Sequence, residues 1–334
     1  MSKTRPGLAA VPVAAALLAA LALPSPAQVK YGGYLSYEYI KGQADSGFPR
    51  GSLENLLAGF LVAGRVQEKF GFAIEAQAQG ASTFGVLQAW AGFLPSKAVT
   101  VRAGLFLVPF GTWNRSSRPQ DTFLIRTPLN LEGLYPAYWR DLGLLVEGEV
   151  GVLTYAAYIG NGLAEAGPSG AAQQFADNNT DKAKGGRVGL VLGQGLQAGV
   201  SYYTGKYDDL NMRDLTLEGA DLSWVTPQWE FHGEYTRSVL ENPQPFERGE
   251  TEGFALWASM NFRNIQPFGS FQKATRSDGY HGGGLSLDRR RWAAGVRWTP
   301  GSALFVKLEY DWNTEKEAVA LKNNQFQAQV GLSF

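Results

Sequence analysis

The sequence predicts an all-β protein, a closed antiparallel transmembrane β-barrel of about 16 strands. Three observations predict it. Apolar and polar side chains alternate over segments near ten residues, short and long connections take turns between those segments, and aromatic residues gather at segment ends.

Residues 1–27 stand apart from the rest. Lys3 and Arg5 form a positive n-region, Leu8 to Leu23 is an almost unbroken Ala/Leu/Val stretch, and Ser25-Pro26-Ala27 offers the small residues a signal peptidase needs. The reading is a cleaved secretory signal, with residues 28–334 forming one barrel domain. Pro24 and Pro26 argue against an uncleaved helical anchor.

Without that leader 307 residues remain, with 28 basic and 30 acidic side chains. No basic excess points to a nucleic-acid partner. The chain has no cysteine, which excludes disulfides, thiolate catalysis and thiolate metal sites. Only His232 and His281 are present, too few for a multi-histidine metal site. No apolar run of 18 residues follows the leader, so no helical span is expected. The 41 Gly, 9 Trp, 14 Tyr and 19 Phe suit an exported barrel instead.

The strands follow in order. Val29, Tyr31, Gly33, Leu35, Tyr37 and Tyr39 share one face of the first, against Lys30, Tyr34, Ser36 and Glu38. The third sets Phe72, Ile74, Ala76 and Ala78 against Glu75, Gln77 and Gln79, and the fifth sets Val99, Val101, Ala103, Leu105 and Leu107 against Thr100 and Arg102. Near the end, Leu304, Val306, Leu308, Tyr310 and Trp312 oppose Lys307, Glu309 and Asp311. The last strand counts back from Phe334 through Leu332, Val330, Ala328 and Phe326. Sixteen such strands are expected, at 29–41, 53–66, 70–79, 83–94, 98–109, 140–150, 152–161, 184–192, 195–206, 214–225, 228–238, 251–262, 265–275, 290–299, 303–313 and 323–334.

Tight turns at Gly193-Gln194-Gly195, Thr226-Pro227-Gln228, Arg263-Asn264 and Thr299-Pro300-Gly301-Ser302 contrast with long loops at 42–52, 110–139, 162–183, 239–250, 276–289 and 314–322. This is the pattern of periplasmic turns and extracellular loops in a bacterial outer-membrane barrel. A soluble sandwich also alternates, but it needs no aromatic belts. Here Tyr37, Tyr39, Tyr235, Tyr310 and Trp312 lie near long loops, and Phe72, Trp229, Trp298 and Phe334 near short turns. Closure then satisfies every strand edge in hydrocarbon.

Parity assigns the wall charges. Arg102, Arg187, Lys273, Arg297 and Lys307 are expected to face the lumen, with Glu75, Glu147, Glu149, Glu230, Glu234 and Glu309. Taken singly, each reads as a solvated wall residue paired across strands; as a set they predict a wet, polar lumen. His232 shares that face, but no serine-centred motif accompanies either histidine, so no catalytic site is expected.

Several stretches resemble the phosphate-selective porin family known as O and P. They are Gly104-Leu105-Phe106-Leu107-Val108-Pro109-Phe110-Gly111, Arg140-Asp141-Leu142-Gly143-Leu144-Leu145-Val146-Glu147-Gly148, Tyr158-Ile159-Gly160-Asn161-Gly162, and Gly295-Val296-Arg297-Trp298-Thr299-Pro300 with Leu308-Glu309-Tyr310. The resemblance runs from about residue 29 to 334, through short motifs in matching order. It implies a sixteen-stranded barrel, a homotrimer, a third loop folded inward and a basic ladder for anions. Phe334 looks like the signal read by the outer-membrane assembly machinery. The balanced charge of this chain departs from the family's lumenal excess of Arg and Lys.

On that resemblance, loop 110–139 becomes the candidate constriction. It carries Arg115, Arg118 and Arg126 against Asp121 and Glu132, with Arg140 at its exit. Forked guanidinium donors suit a carboxylate or phosphate; the alternative is an extracellular loop whose arginines pair with its own acids or with lipopolysaccharide. The expected function is passive diffusion of small hydrophilic solutes and ions, with a mild phosphate-like anion preference, no cofactor and no metal. The lipid bilayer and lipopolysaccharide are the expected surroundings. A non-conducting structural barrel or adhesin is the main alternative, and a barrel enzyme the lesser one.

Overall fold

Alternation becomes a closed wall because the first and last strands pair. The computed structural model describes residues 28–80, 82–166, 171–280, 285–316 and 321–334. The expected signal segment 1–27 and His281 lie outside the described residues.

The wall begins with β1 (Gln28–Gly42), β2 (Ser52–Gln67), β3 (Phe70–Gln79), β4 (Thr83–Phe93) and β5 (Thr100–Leu107). A single helical turn, α1 (Trp113–Ser116), sits in the loop that follows. Next come β6 (Arg140–Val150) and β7 (Leu153–Gly160), then the small hairpin β8 (Leu163–Ala164) and β9 (Ala172–Gln173). The wall continues with β10 (Ala183–Leu192), β11 (Leu196–Lys206), β12 (Asp214–Val225), β13 (Trp229–Leu240) and β14 (Gly249–Met260). It ends with β15 (Ile265–Asp278), β16 (Leu285–Trp298), β17 (Leu304–Glu315) and β18 (Gln325–Ser333).

All but β8 and β9 form one closed antiparallel barrel of sixteen strands, each paired with its neighbour in sequence and β1 with β18. The seam runs from Tyr34 opposite Ser333 to Gly42 opposite Gln325. Gly33 and Phe334 extend it by exchanging both backbone hydrogen bonds at 3.0 Å. The Phe334 ring lies over Gly33, where a Cβ would come within 2.5 Å of its Cζ, so only glycine leaves room for it.

The outer face is apolar. Tyr31, Leu35 and Tyr37 on β1, Val188 and Leu190 on β10, Trp292 on β16 and Trp312 on β17 are exposed. Phe70 and Phe93 meet at 5.4 Å with tilted rings beside short turns, as two interfacial belts around a lipid-facing band require.

Expected strand ends hold within a few residues, except that β16 starts at Leu285 rather than 290, and β15 runs to Asp278. A bulge where Glu75–Gln88 gives way to Ala76–Val86 sets Leu87 out of register, shifting the parity of β4. The β3–β4 connection at 80–82 is short although it lies at the long-loop end.

Two expectations fail on the inner face. The lumen is not polar all round: Phe106, Leu145, Tyr158, Tyr203, Leu215, Leu217, Trp257 and Phe268 point inward and join one buried apolar cluster with the third loop. Lys273, expected in the lumen, faces outward. Its neighbour Gln272 points inward, where Oε1 accepts a hydrogen bond from Leu129 N–H at 2.8 Å, and a strand alternates residue by residue. Phe268 turns inward to pack 5.4 Å from Phe123, so a parity counted from Phe268 misplaces Lys273, whereas Ile265 and Phe271 share the outer face with it.

Candidate functional site

The segment between β5 and β6 leaves the wall at Val108 and returns at Trp139, and its neck is pinned. Asn114 Nδ2 donates to the carbonyls of Val108 (2.9 Å) and Trp139 (2.7 Å), while its Oδ1 accepts from Trp139 N–H at 2.8 Å. From that neck the loop crosses the lumen, and strands far apart in sequence hold it there.

Backbone groups of the loop need partners once buried, and wall side chains supply them. Glu234 Oε1 on β13 accepts from Thr112 N–H at 2.6 Å and from Trp113 N–H at 2.7 Å. Glu309 Oε2 on β17 accepts from Ile125 N–H at 2.6 Å. Arg297 donates to the Gln120 carbonyl at 2.8 Å, and Lys307 Nζ to the Leu124 carbonyl at 3.4 Å. Beneath these bonds the apolar residues Phe110, Trp113, Phe123, Leu124, Leu131, Leu134, Tyr135 and Trp139 pack on the β5–β15 sector.

The loop's arginines are all paired with carboxylates. Arg115 meets Glu147 at 2.9 Å, and Arg118 meets Glu75. Arg126 meets Glu132 at 2.7 Å, and Asp311 lies 3.6 Å away. On the wall, Arg102 shares Glu147 and Arg187 binds Asp221. Arg118 also lies 3.8 Å from Asp121. Burial raises the Asp121 carboxyl above its ordinary range, against the pull of Arg118. Burial would also raise Glu132, but Arg291, Arg126 and Arg289 outweigh it and hold the carboxyl down at about 2.

Glu75, Glu147, Glu234 and Glu309 therefore face inward as expected, yet each is engaged with the loop rather than standing free on the wall. Glu230 lies below the loop, 3.8 Å from His232 Nε2. The His232 ring stacks on Trp257 with centroids 5.4 Å apart. Arg140 differs from the other arginines: among the described residues its guanidinium makes no ion pair and no hydrogen bond, and its Nε is buried without a partner. It lies 5.1 Å over the Phe175 ring, beside Gly85.

Arg289 and Arg291 escaped the sequence reading. Arg291 is fully buried, 2.8 Å from Glu132, with Arg289 at 3.5 Å from the same carboxylate. Parity carried the signal, since both share the face of Arg297: Arg289 lies before the expected strand start at 290, whereas Arg291 lies inside the expected strand and was passed over.

The apolar side of the loop leaves the opposite sector open. A cavity of about 470 Å³ lies between the loop and β1–β4, lined by Glu38, Asn55, Gln77, Ser117, Arg140 and Lys307, among others. A second, of about 640 Å³, adjoins it toward the long loops and shares Glu38, Asn55, Thr127 and Glu132. A third, toward the short turns, is lined by Tyr34, Glu75, Arg118 and Phe334. Tyr34 and Gln77, bonded at 2.7 Å, link its wall to that of the first cavity.

A closed sixteen-stranded barrel with an apolar outer wall and a loop packed into its lumen has the architecture of outer-membrane porins. Residues 14–333 match the Gram-negative porin family, and the chain belongs to it. An uncharacterized protein of Aquifex aeolicus (strain VF5) is 25% identical over 227 residues, covering 62% of this chain and 52% of that relative. The chain thus aligns with about half the length of the curated relative it matches.

Among solved structures, Salmonella typhi OmpF in complex with daunomycin superposes with a TM-score of 0.69 at 13% identity, covering 92% of this chain and 97% of that one. An anion-selective porin from Comamonas acidovorans gives 0.67 at 14%, covering 92% and 99%. The trimer form of Vibrio cholerae OmpT gives 0.66 at 11%, covering 93% and 100%. At these identities the likeness is one of fold.

Proposed function

We propose that the protein is a water-filled diffusion channel of the bacterial outer membrane, exported by the segment 1–27 and working as a homotrimer without catalysis. Loop 110–139 narrows the path, and small hydrophilic solutes pass between it and the β1–β4 wall. The observation that carries this reading is the succession of three cavities from the long-loop side to the short-turn side, with Glu38, Gln77, Glu75 and Arg118 among the charged and amide side chains that line them. Polar walls with weak, distributed binding let a solute enter and leave.

Selectivity is weak in this reading, because most lumenal arginines already have carboxylate partners. A mild preference for phosphate-like anions rests on Arg140, which lines the central cavity without an acid partner among the described residues. One observation favours a second reading, a non-conducting structural barrel: the buried apolar cluster occupies much of the lumen on the β5–β15 side.

Liposome swelling separates the two. Vesicles carrying the folded barrel should swell in isotonic arabinose, and more slowly in larger sugars. Vesicles that hold their volume in every sugar, despite demonstrably folded protein, would establish the plugged barrel.

A further inference from the structure

The outer wall of β15 and β16 carries two cations side by side. Lys273 and Arg290 are direct partners in the antiparallel register. Both face lipid, since the adjoining Gln272 and Arg291 point inward to the loop. Like charges set directly opposite on a sheet repel one another, and such a pair is destabilising unless an anion joins it. The carboxylates on this face do not provide one for both. Asp288 comes only to 4.0 Å from Arg290 Nε, Glu252 is taken by the Tyr235 hydroxyl at 2.8 Å, and Lys273 makes no ion pair among the described residues.

One step along the same face, toward the short turns, lie Phe271 and Trp292, their rings 4.4 Å apart. Phe254 meets Phe271 edge-on at 5.7 Å. The paired charges thus cap an aromatic surface on the side of the long loops. A phosphorylated amphiphile matches this layout, with phosphate between the ammonium and the guanidinium fork and an acyl chain along the rings. The long-loop side of an outer-membrane barrel meets the outer leaflet.

We propose that Lys273, Arg290 and the Phe254–Phe271–Trp292 cluster form a docking site for one lipopolysaccharide molecule, held through a lipid phosphate. The site rests on the outer-membrane reading above but not on conduction, so a silent channel would leave it standing.

The test is binding of bisphosphorylated lipid A to the full-length barrel folded in detergent, followed by native mass spectrometry. Its dephosphorylated form and phosphatidylglycerol serve as comparison ligands. Both cations sit outside the wall, so K273Q, R290Q and the double variant should fold, checked by heat-modified gel mobility. Lipid A affinity should fall at least about tenfold in the double variant, the scale of losing charge-assisted hydrogen bonds. W292A should weaken binding by less. Equal affinity in wild type and double variant, or equal binding of the dephosphorylated lipid, would overturn the site. Phosphatidylglycerol binding as tightly as lipid A would overturn its assignment to lipopolysaccharide.

Discussion

Arg118 grips Glu75 with both arms of its fork: Nε lies 2.6 Å from Oε1 and Nη2 lies 2.5 Å from Oε2. The Glu75 side chain is 1% exposed, so the loop guanidinium, together with Gln88 Nε2 donating to Oε2 at 2.7 Å, replaces the water the carboxylate has lost. Breaking one side of such a pair strands a buried charge.

Arg118→Ala should therefore destabilise the folded barrel by about 3–5 kcal/mol. The double variant Arg118→Gln with Glu75→Gln should lose much less, because no charge is left alone. Denaturant unfolding followed by tryptophan fluorescence gives both numbers. Equal losses in the two proteins would show that the pair does not anchor the loop.

Glu132 gives a pH dependence with a definite sign. Its carboxyl falls from an ordinary 4.5 to about 2 in the folded protein. A depressed carboxylate stabilises fully above its unfolded pKa, and that contribution fades as pH falls from about 4.5 through 2. The gap in unfolding free energy between wild type and Glu132→Gln, at most about 3 kcal/mol, should be flat from pH 8 to 5 and shrink below 4.5. A gap that grows on acidification would contradict the assignment of Arg291, Arg126 and Arg289 as its partners.

At the seam, Gly33→Val drives a side chain into the Phe334 ring. Overpacking of this kind costs about 1–3 kcal/mol, and the yield of heat-modifiable barrel should drop. Adding Phe334→Ala should restore part of the folding yield if the clash is the cause. No recovery would point instead to the Gly59 carbonyl, 2.9 Å from the same Cβ position.

How far the sequence spoke for itself depended on what each side chain faces. On β1, lipid outside and polar contents inside make Leu35, Tyr37 and Tyr39 alternate cleanly with Tyr34, Ser36 and Glu38, and the strand reads directly. On β14 and β15 the third loop brings its own apolar surface, so Trp257 and Phe268 turn inward and the simple rule misplaces Lys273. The loop's arginines were legible as a cluster, but not their partners. Arg118–Glu75 spans 43 positions and Arg291–Glu132 spans 159, and only the closed wall brings such residues together.

Selectivity should be small in the wild type and should move with Arg140. In a salt gradient, Arg140→Gln should shift the reversal potential toward cation preference, since it removes the cavity-lining guanidinium that has no acid partner among the described residues. A shift toward anions, or none, would remove Arg140 from the selectivity account.

Unit conductance in planar bilayers tests the central claim most directly, with the wild type set beside a variant lacking residues 115–135. A loop that narrows a continuous aqueous path predicts discrete ohmic steps from the wild type and larger steps from the shortened barrel. Silent bilayers over well-folded protein, or unchanged steps after the deletion, would contradict it.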